Sequence, residues 1–305
     1  MEDKATLKFK HRLSGHNGAI YCLSPGALTY DFCSAGGDGW MVGWRFEQPE
    51  SGHLLAKADT QLFTLLSLPK ENILVGGDMN GGLHWVNLDK PDTSRGIQHH
   101  QKGVFDLLRL QGNLFSIGGD GRLSRWSIPE QRSLESLILS NQSLRCMDFN
   151  AVRNEIAVGA SDKSIYLVDA DQLEIKSKLE NAHANSVFSL RYSQDGAFLW
   201  SGGRDAHLKM WQLAPNPQLL ESHPAHWFTI NDIAVHPTGN WLATASRDKT
   251  IKLWETHTFQ LIKVLEAGRD NGHVNSVNKL WWSEQGDSLV SASDDRTLIW
   301  WEFMG

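Results

Sequence analysis

The sequence predicts an all-β chain folded as a seven-bladed β-propeller with four antiparallel strands per blade. Three observations predict it: a tryptophan-marked period of just over forty residues, a turn aspartate at a set distance before each mark, and period-two alternation on both sides of that turn.

The period comes first. Trp44, Trp85, Trp126, Trp211, Trp254 and Trp301 recur, Val168 fills the one gap, and the steps between these positions are 41, 41, 42, 43, 43 and 47 residues. A repeat of this length marks a propeller or a solenoid. Asp38, Asp120, Asp162, Asp205, Asp248 and Asp295 each stand six residues before their mark. Asp78 stands seven before Trp85, which predicts one extra residue in the second unit. The neighbours are tight-turn residues, as in Gly37-Asp38-Gly39 and Gly119-Asp120-Gly121.

The strands follow from the flanks of that turn. Thr250-Ile251-Lys252-Leu253-Trp254 alternates after it, a strand with one buried face. Upstream, Ser186-Val187-Phe188-Ser189-Leu190 and Thr229-Ile230-Asn231-Asp232-Ile233 alternate in the same way. They lead into turns such as His236-Pro237-Thr238-Gly239. The outer strand is weaker, as in Phe259-Gln260-Leu261-Ile262-Lys263-Val264. No stretch requires a long helix.

Family-level detail enters with a histidine near the start of most units: Gly15-His16, Gly272-His273, Ala182-His183, Ala225-His226 and, after His99, His100. A hydroxyl stands four residues before the turn aspartate in the same units: Ser34, Ser116, Ser201, Thr244 and Ser291. These repeats resemble the WD-repeat, or β-transducin-like, family over essentially the whole chain. The resemblance implies five hydrogen-bonded structural tetrads: His16, Ser34, Asp38 and Trp44; His100, Ser116, Asp120 and Trp126; His183, Ser201, Asp205 and Trp211; His226, Thr244, Asp248 and Trp254; His273, Ser291, Asp295 and Trp301. Units two and four lack histidine and hydroxyl together, with Leu74 and Val158 at the hydroxyl sites. The last unit ends at Trp301-Glu302-Phe303-Met304-Gly305, without an outer strand. The resemblance implies that residues 7–13, alternating Leu7, Phe9, His11 and Leu13, supply it and close one ring over residues 1–305.

Composition narrows the function. Apolar residues at 41% and charged residues at 21% suit a soluble globular chain, and a net charge of −6 argues against nucleic acid and anionic membrane as partners. Cys22, Cys33 and Cys146 show no paired spacing, which suits free thiols in a reducing compartment. Residues 1–10 are charged and lack the apolar core of a signal peptide, and no apolar run is long enough to span a bilayer. The expectation is a cytoplasmic protein.

Chemistry is weakly signalled. Ser34, His16 and Asp38 imitate a hydrolase triad, but the trio recurs five times at matched spacing, whereas a catalytic centre is built once. No nucleophile elbow or phosphate loop is present. His223 and His226, or His99 and His100, fall short of a metal site, since two of them already have structural places. No cofactor is expected. The ionisable residues near a channel, Arg145, Arg204, Arg247, Asp106 and Asp294, contain no base and nucleophile pair.

What remains is recognition. In the family resembled, partners dock on the narrow face around the channel, and three positions per blade point there. Carried over, the first gives Ala19, Gln61, Gly103, Ser143, Ser186, Thr229 and Ser276. The second gives Tyr21, Phe63, Phe105, Arg145, Phe188, Asn231 and Asn278. The third gives Gly37, Gly77, Gly119, Ser161, Arg204, Arg247 and Asp294. Aromatic residues and arginines carry interface energy. The expectation is a non-catalytic scaffold, a monomeric ring or a subunit of a larger complex. It binds a protein or peptide through Tyr21, Phe63, Phe105, Arg145, Phe188, Arg204 and Arg247. The alternatives are a propeller enzyme, or a reader of phosphorylated or methyl-ammonium peptides. Trp227 is a further exposed anchor candidate.

Overall fold

Twenty-eight strands sort into seven four-stranded antiparallel sheets in the computed structural model, which describes residues 5–27, 29–214 and 216–305. Six sheets take four consecutive strands each, running from an inner strand at the channel to an outer strand at the rim. The seventh pairs Val277–Trp282, Ser288–Ser293 and Thr297–Met304 with Thr6–Ser14, so the ring is closed by an N-terminal strand. Of residues 1–10, the first four lie outside the described residues.

The closing strand does not alternate as its sequence suggests. A bulge between Phe9 and His11 shifts the register, so Leu7 and Leu13 are buried while Phe9 is 37% exposed. Arg12 fastens this strand to blade seven, donating to Thr297 Oγ1 at 3.0 Å and to the Asn271 and Gly272 carbonyls at 2.9 and 3.0 Å. Those carbonyls follow a four-residue helix, Ala267–Asp270, whose insertion accounts for the long final step of 47 residues.

Each core cluster draws on two neighbouring blades. One joins Ala234, Ala243 and Leu253 of blade six to Leu280, Leu289 and Trp301 of blade seven. Apolar burial therefore lies between sheets, and each blade needs its neighbours to bury its faces. Cys22, Cys33 and Cys146 are buried free thiols, and burial pushes Cys22 and Cys33 up to about 12.

Candidate functional site

In blades one, three, five, six and seven a buried relay runs from indole to carboxylate. The tryptophan Nε1 donates to the hydroxyl at 2.7 Å for Trp44–Ser34, 2.9 Å for Trp126–Ser116, Trp211–Ser201 and Trp301–Ser291, and 3.0 Å for Trp254–Thr244. The hydroxyl donates to the histidine Nε2 at 2.8 Å in all five. The histidine Nδ1 donates to the turn aspartate at 2.9–3.0 Å. Burial alone would raise these carboxyls, but the bonds they accept outweigh it. Asp120 and Asp205 sit at about 2, and Asp38, Asp248 and Asp295 are lowered too. Desolvation lowers His183 and His226. All five hydroxyls are 0% exposed, so no substrate could reach them as nucleophiles.

Blade two corrects the sequence reading. The residue after each turn aspartate has positive φ, as at Gly39, Gly121, Lys163, Ala206, Lys249 and Arg296; in blade two that residue is Gly81, which makes Asn80 the turn residue. The ladder agrees, since Val75 pairs with Trp85 where other marks pair two residues before the hydroxyl. No extra residue is present. Asp78 instead matches Gly118 and Gly203, where a Cβ would lie 2.4 Å from His100 Nδ1 and 2.6 Å from His183 Nδ1. Without a histidine, the Asp78 carboxylate occupies that space and accepts from His84 Nε2 and the Asn80 and Gly82 N–H groups, each at 2.8 Å. Trp85 Nε1 is left buried without an acceptor among the described residues. In blade four, Asp162 accepts from Ser140 at 2.8 Å and from the Tyr166 hydroxyl at 2.5 Å, so the missing histidine is again replaced.

The channel mouth is built by seven bulges. Each inner strand is irregular between its first and third residue, and a bulge re-aims the skipped side chain. The skipped residues are Tyr21, Phe63, Phe105, Arg145, Phe188, Asn231 and Asn278, and all are half-buried around a cavity of about 500 Å³. Phe63 stacks on Phe105 at 5.5 Å and meets Tyr21 edge-on at 5.7 Å. The Arg145 guanidinium lies 4.4 Å from the Phe105 ring and 5.4 Å from Phe188, and donates to Ser161 Oγ at 2.9 Å. Five of the seven expected partner residues thus form one stacked arc. Arg204 and Arg247 stand apart from it, exposed on the rim of the same face. Their position, just before the turn aspartate, is held in every blade by a bond to the first inner position: Arg204 N donates to the Ser186 carbonyl and Arg247 N to that of Thr229. In blade two this residue is Met79, bonded to Gln61, and not Gly77. Trp227, 88% exposed, and Phe228, 59% exposed, sit on this rim too. Asn231 and Asn278 are committed to neighbouring blades through the Val277 and Ile20 carbonyls.

Below the arc lies a charged layer of which the sequence singles out only Asp106. Asp232 meets Lys279 Nζ at 3.2 Å and Arg191 at 3.6 Å. Asp106 accepts from Met147 N at 2.9 Å, Asp148 from Tyr192 N at 2.7 Å, and Asp232 from Leu280 N at 3.0 Å. Ser24 and Ser189 do the same for Ser67 N and Ile233 N, each at 2.8 Å. Each of these side chains satisfies an inner-edge N–H of the following blade, an otherwise orphaned donor. Asp106, offered from the sequence as a catalytic candidate, is used in this way. Asp294 accepts from Asn278 at 2.7 Å. Among the described residues no group of His, Cys, Asp and Glu could hold a metal, and His223 pairs with Glu221 at 3.3 Å.

The pattern described as "WD domain, G-beta repeat" matches residues 175–212, 217–255 and 260–302. Over 97% of its length the chain is 21% identical to Protein tipD of Dictyostelium discoideum, covering 49% of that protein. It is 30% identical to Eukaryotic translation initiation factor 3 subunit I of Neurospora crassa over 39% of this chain and 32% of that one. The chain therefore spans half or less of the length of these curated relatives. Its fold is similar to the crystal structure of the WD40 beta propeller domain of Doa1, with a TM-score of 0.85 at 17% identity, covering 98% of this chain and 97% of that one.

Proposed function

From the premise that this chain belongs to the WD-repeat propeller family, we propose that it is a non-catalytic scaffold whose partner docks on the face carrying the turn aspartates. One observation carries the reading: Tyr21, Phe63, Phe105, Arg145 and Phe188 form a continuous half-buried arc over an open channel. Rigid aromatic rings and a stacked arginine lose little conformational freedom on binding, which is why such residues anchor interfaces. An apolar anchor of the partner sits on the Phe63–Phe105 side. Arg145 is engaged by two rings and Ser161, so an acidic or phosphorylated group is met chiefly by Arg204 and Arg247. The solvent-closed tetrads favour a scaffold over an enzyme, and a relative whose name makes it a subunit of a translation factor supports a protein partner. Among the described residues no helix is long and apolar enough to cross a membrane. A cytoplasmic location, as a free ring or a complex subunit, is part of the same proposal.

The test is affinity capture from cells of the source organism, comparing wild type with the Phe63→Ala/Phe105→Ala variant at matched thermal stability. Loss of a specific partner is expected. Capture of every wild-type partner by the variant would remove the basis of the reading.

A further inference from the structure

The opposite face holds a second cavity of different polarity. It opens between blades seven and one, has a volume of about 520 Å³, and joins residues from the two ends of the chain. Tyr30, Phe46, Trp281 and Trp300 line it, and all four are half-buried. Phe46 lies 4.5 Å from Trp300 and 6.4 Å from Trp281, and Trp300 is fixed by its Nε1 bond to Ser288 Oγ at 3.0 Å. The charged residues among its lining are all acidic: Asp31, Glu284 and Asp287, each exposed and none in an ion pair among the described residues. Glu284 makes no side-chain hydrogen bond among the described residues, Asp31 accepts from Phe46 N, and Asp287 accepts from Ser283 Oγ.

Two of these rings already accept cations from within the chain. Arg45 lies 5.1 Å from the Tyr30 ring and Lys10 lies 5.9 Å from that of Trp300. Lys10 is neutralised by Glu302 at 2.7 Å, and neither cation lines the cavity. Aromatic faces attract a cation through their quadrupole, and carboxylates beside them supply the counter-charge. The channel-mouth face has the reverse character, with Arg145 among its rings and Arg204 and Arg247 beyond.

We propose that this groove between blades seven and one is a second binding site, which takes a lysine or arginine side chain from a basic partner segment. The cation sits in the cavity against Trp281, Trp300 and Phe46, and Glu284 and Asp287 balance its charge. The site is separate from the channel-mouth arc and does not depend on it.

Fluorescence polarisation with a labelled hexapeptide of alternating glycine and lysine tests the assignment. The wild-type chain is expected to bind it, more weakly as salt rises, and to release it when the lysines are acetylated. Glu284→Gln/Asp287→Asn, at two exposed positions, is expected to weaken binding roughly fivefold or more, from two exposed ion pairs at about half a kcal/mol each. Phe63→Ala/Phe105→Ala is expected to bind as wild type does. The proposal is overturned by no wild-type binding, by equal binding of the acetylated peptide, or by undiminished binding to the Glu284/Asp287 variant. Loss in the Phe63/Phe105 variant would move the cation site to the other face and equally overturn it.

Discussion

Replacing one turn aspartate by asparagine turns the buried relay into a measurable quantity. Asp205 accepts from His183 Nδ1 at 2.9 Å and from Ala184 N at 2.8 Å, with its side chain only 10% exposed. These bonds take its carboxyl from 3.8 to about 2. A difference of that size corresponds to about 2.5 kcal/mol of stability at pH 7. The sign follows from a lowered carboxylate: the contribution is complete above the unfolded value of 3.8 and drains away as pH falls toward 2. About 1 kcal/mol of it is gone by pH 3. His183 acts in the same direction, because desolvation lowers it from 6.5 and stability falls as pH drops through and below that value. Asp205→Asn keeps the shape and removes the charge. Urea unfolding followed by circular dichroism at pH 7 should show a loss of about 2 kcal/mol, narrowing by about 1 kcal/mol at pH 3. The same loss at both pH values, or no loss at pH 7, would refute the claim that the carboxylate charge holds the relay.

Two further outcomes test other parts of the structure. Trp126→Phe should cost about 1 kcal/mol more than Trp85→Phe in the same unfolding assay, because Trp126 donates to Ser116 whereas Trp85 Nε1 has no acceptor among the described residues; equal costs would count against the blade-two register. Removal of residues 1–13 should lower the thermal midpoint of the whole ring, since it strips blade seven of its outer strand and takes Leu7 and Leu13 from two cores; an unchanged midpoint would contradict closure.

Seven blades were legible because each repeats one polar turn and one alternating hairpin, and local repetition survives without any knowledge of neighbours. The blade-two register was not, because Asp78 and Trp85 imitate the expected pair while the true turn, Asn80-Gly81, has an ordinary hairpin signature whose meaning lies in its centring between two strands. The arc of Tyr21, Phe63, Phe105, Arg145 and Phe188 could be located by carrying over one inner-strand position of the family resembled, and the same bulge recurs there in every blade. The Arg145 contacts with two rings could not, because they join three blades. The sequence marks Asp106 only as an ionisable residue near the channel and does not single out Asp148 or Asp232, and only the neighbouring blade reveals the N–H groups they serve. The groove near Tyr30 and Trp300 was invisible for the same reason, as its walls meet only once the ring is shut.

The stitches from one inner strand to the next point in a single direction along the chain: Ser24 to Ser67, Asp106 to Met147, Asp148 to Tyr192, Ser189 to Ile233 and Asp232 to Leu280. During synthesis each acceptor therefore emerges before the amide it will hold, and assembly can advance like a ratchet from one unit to the next. Thr6–Ser14 breaks that order, because it precedes every other strand and must wait for Thr297–Met304. Until that meeting the nascent chain carries an open seam at both ends of the array, the interval in which a chaperone or a sister chain could most easily intervene.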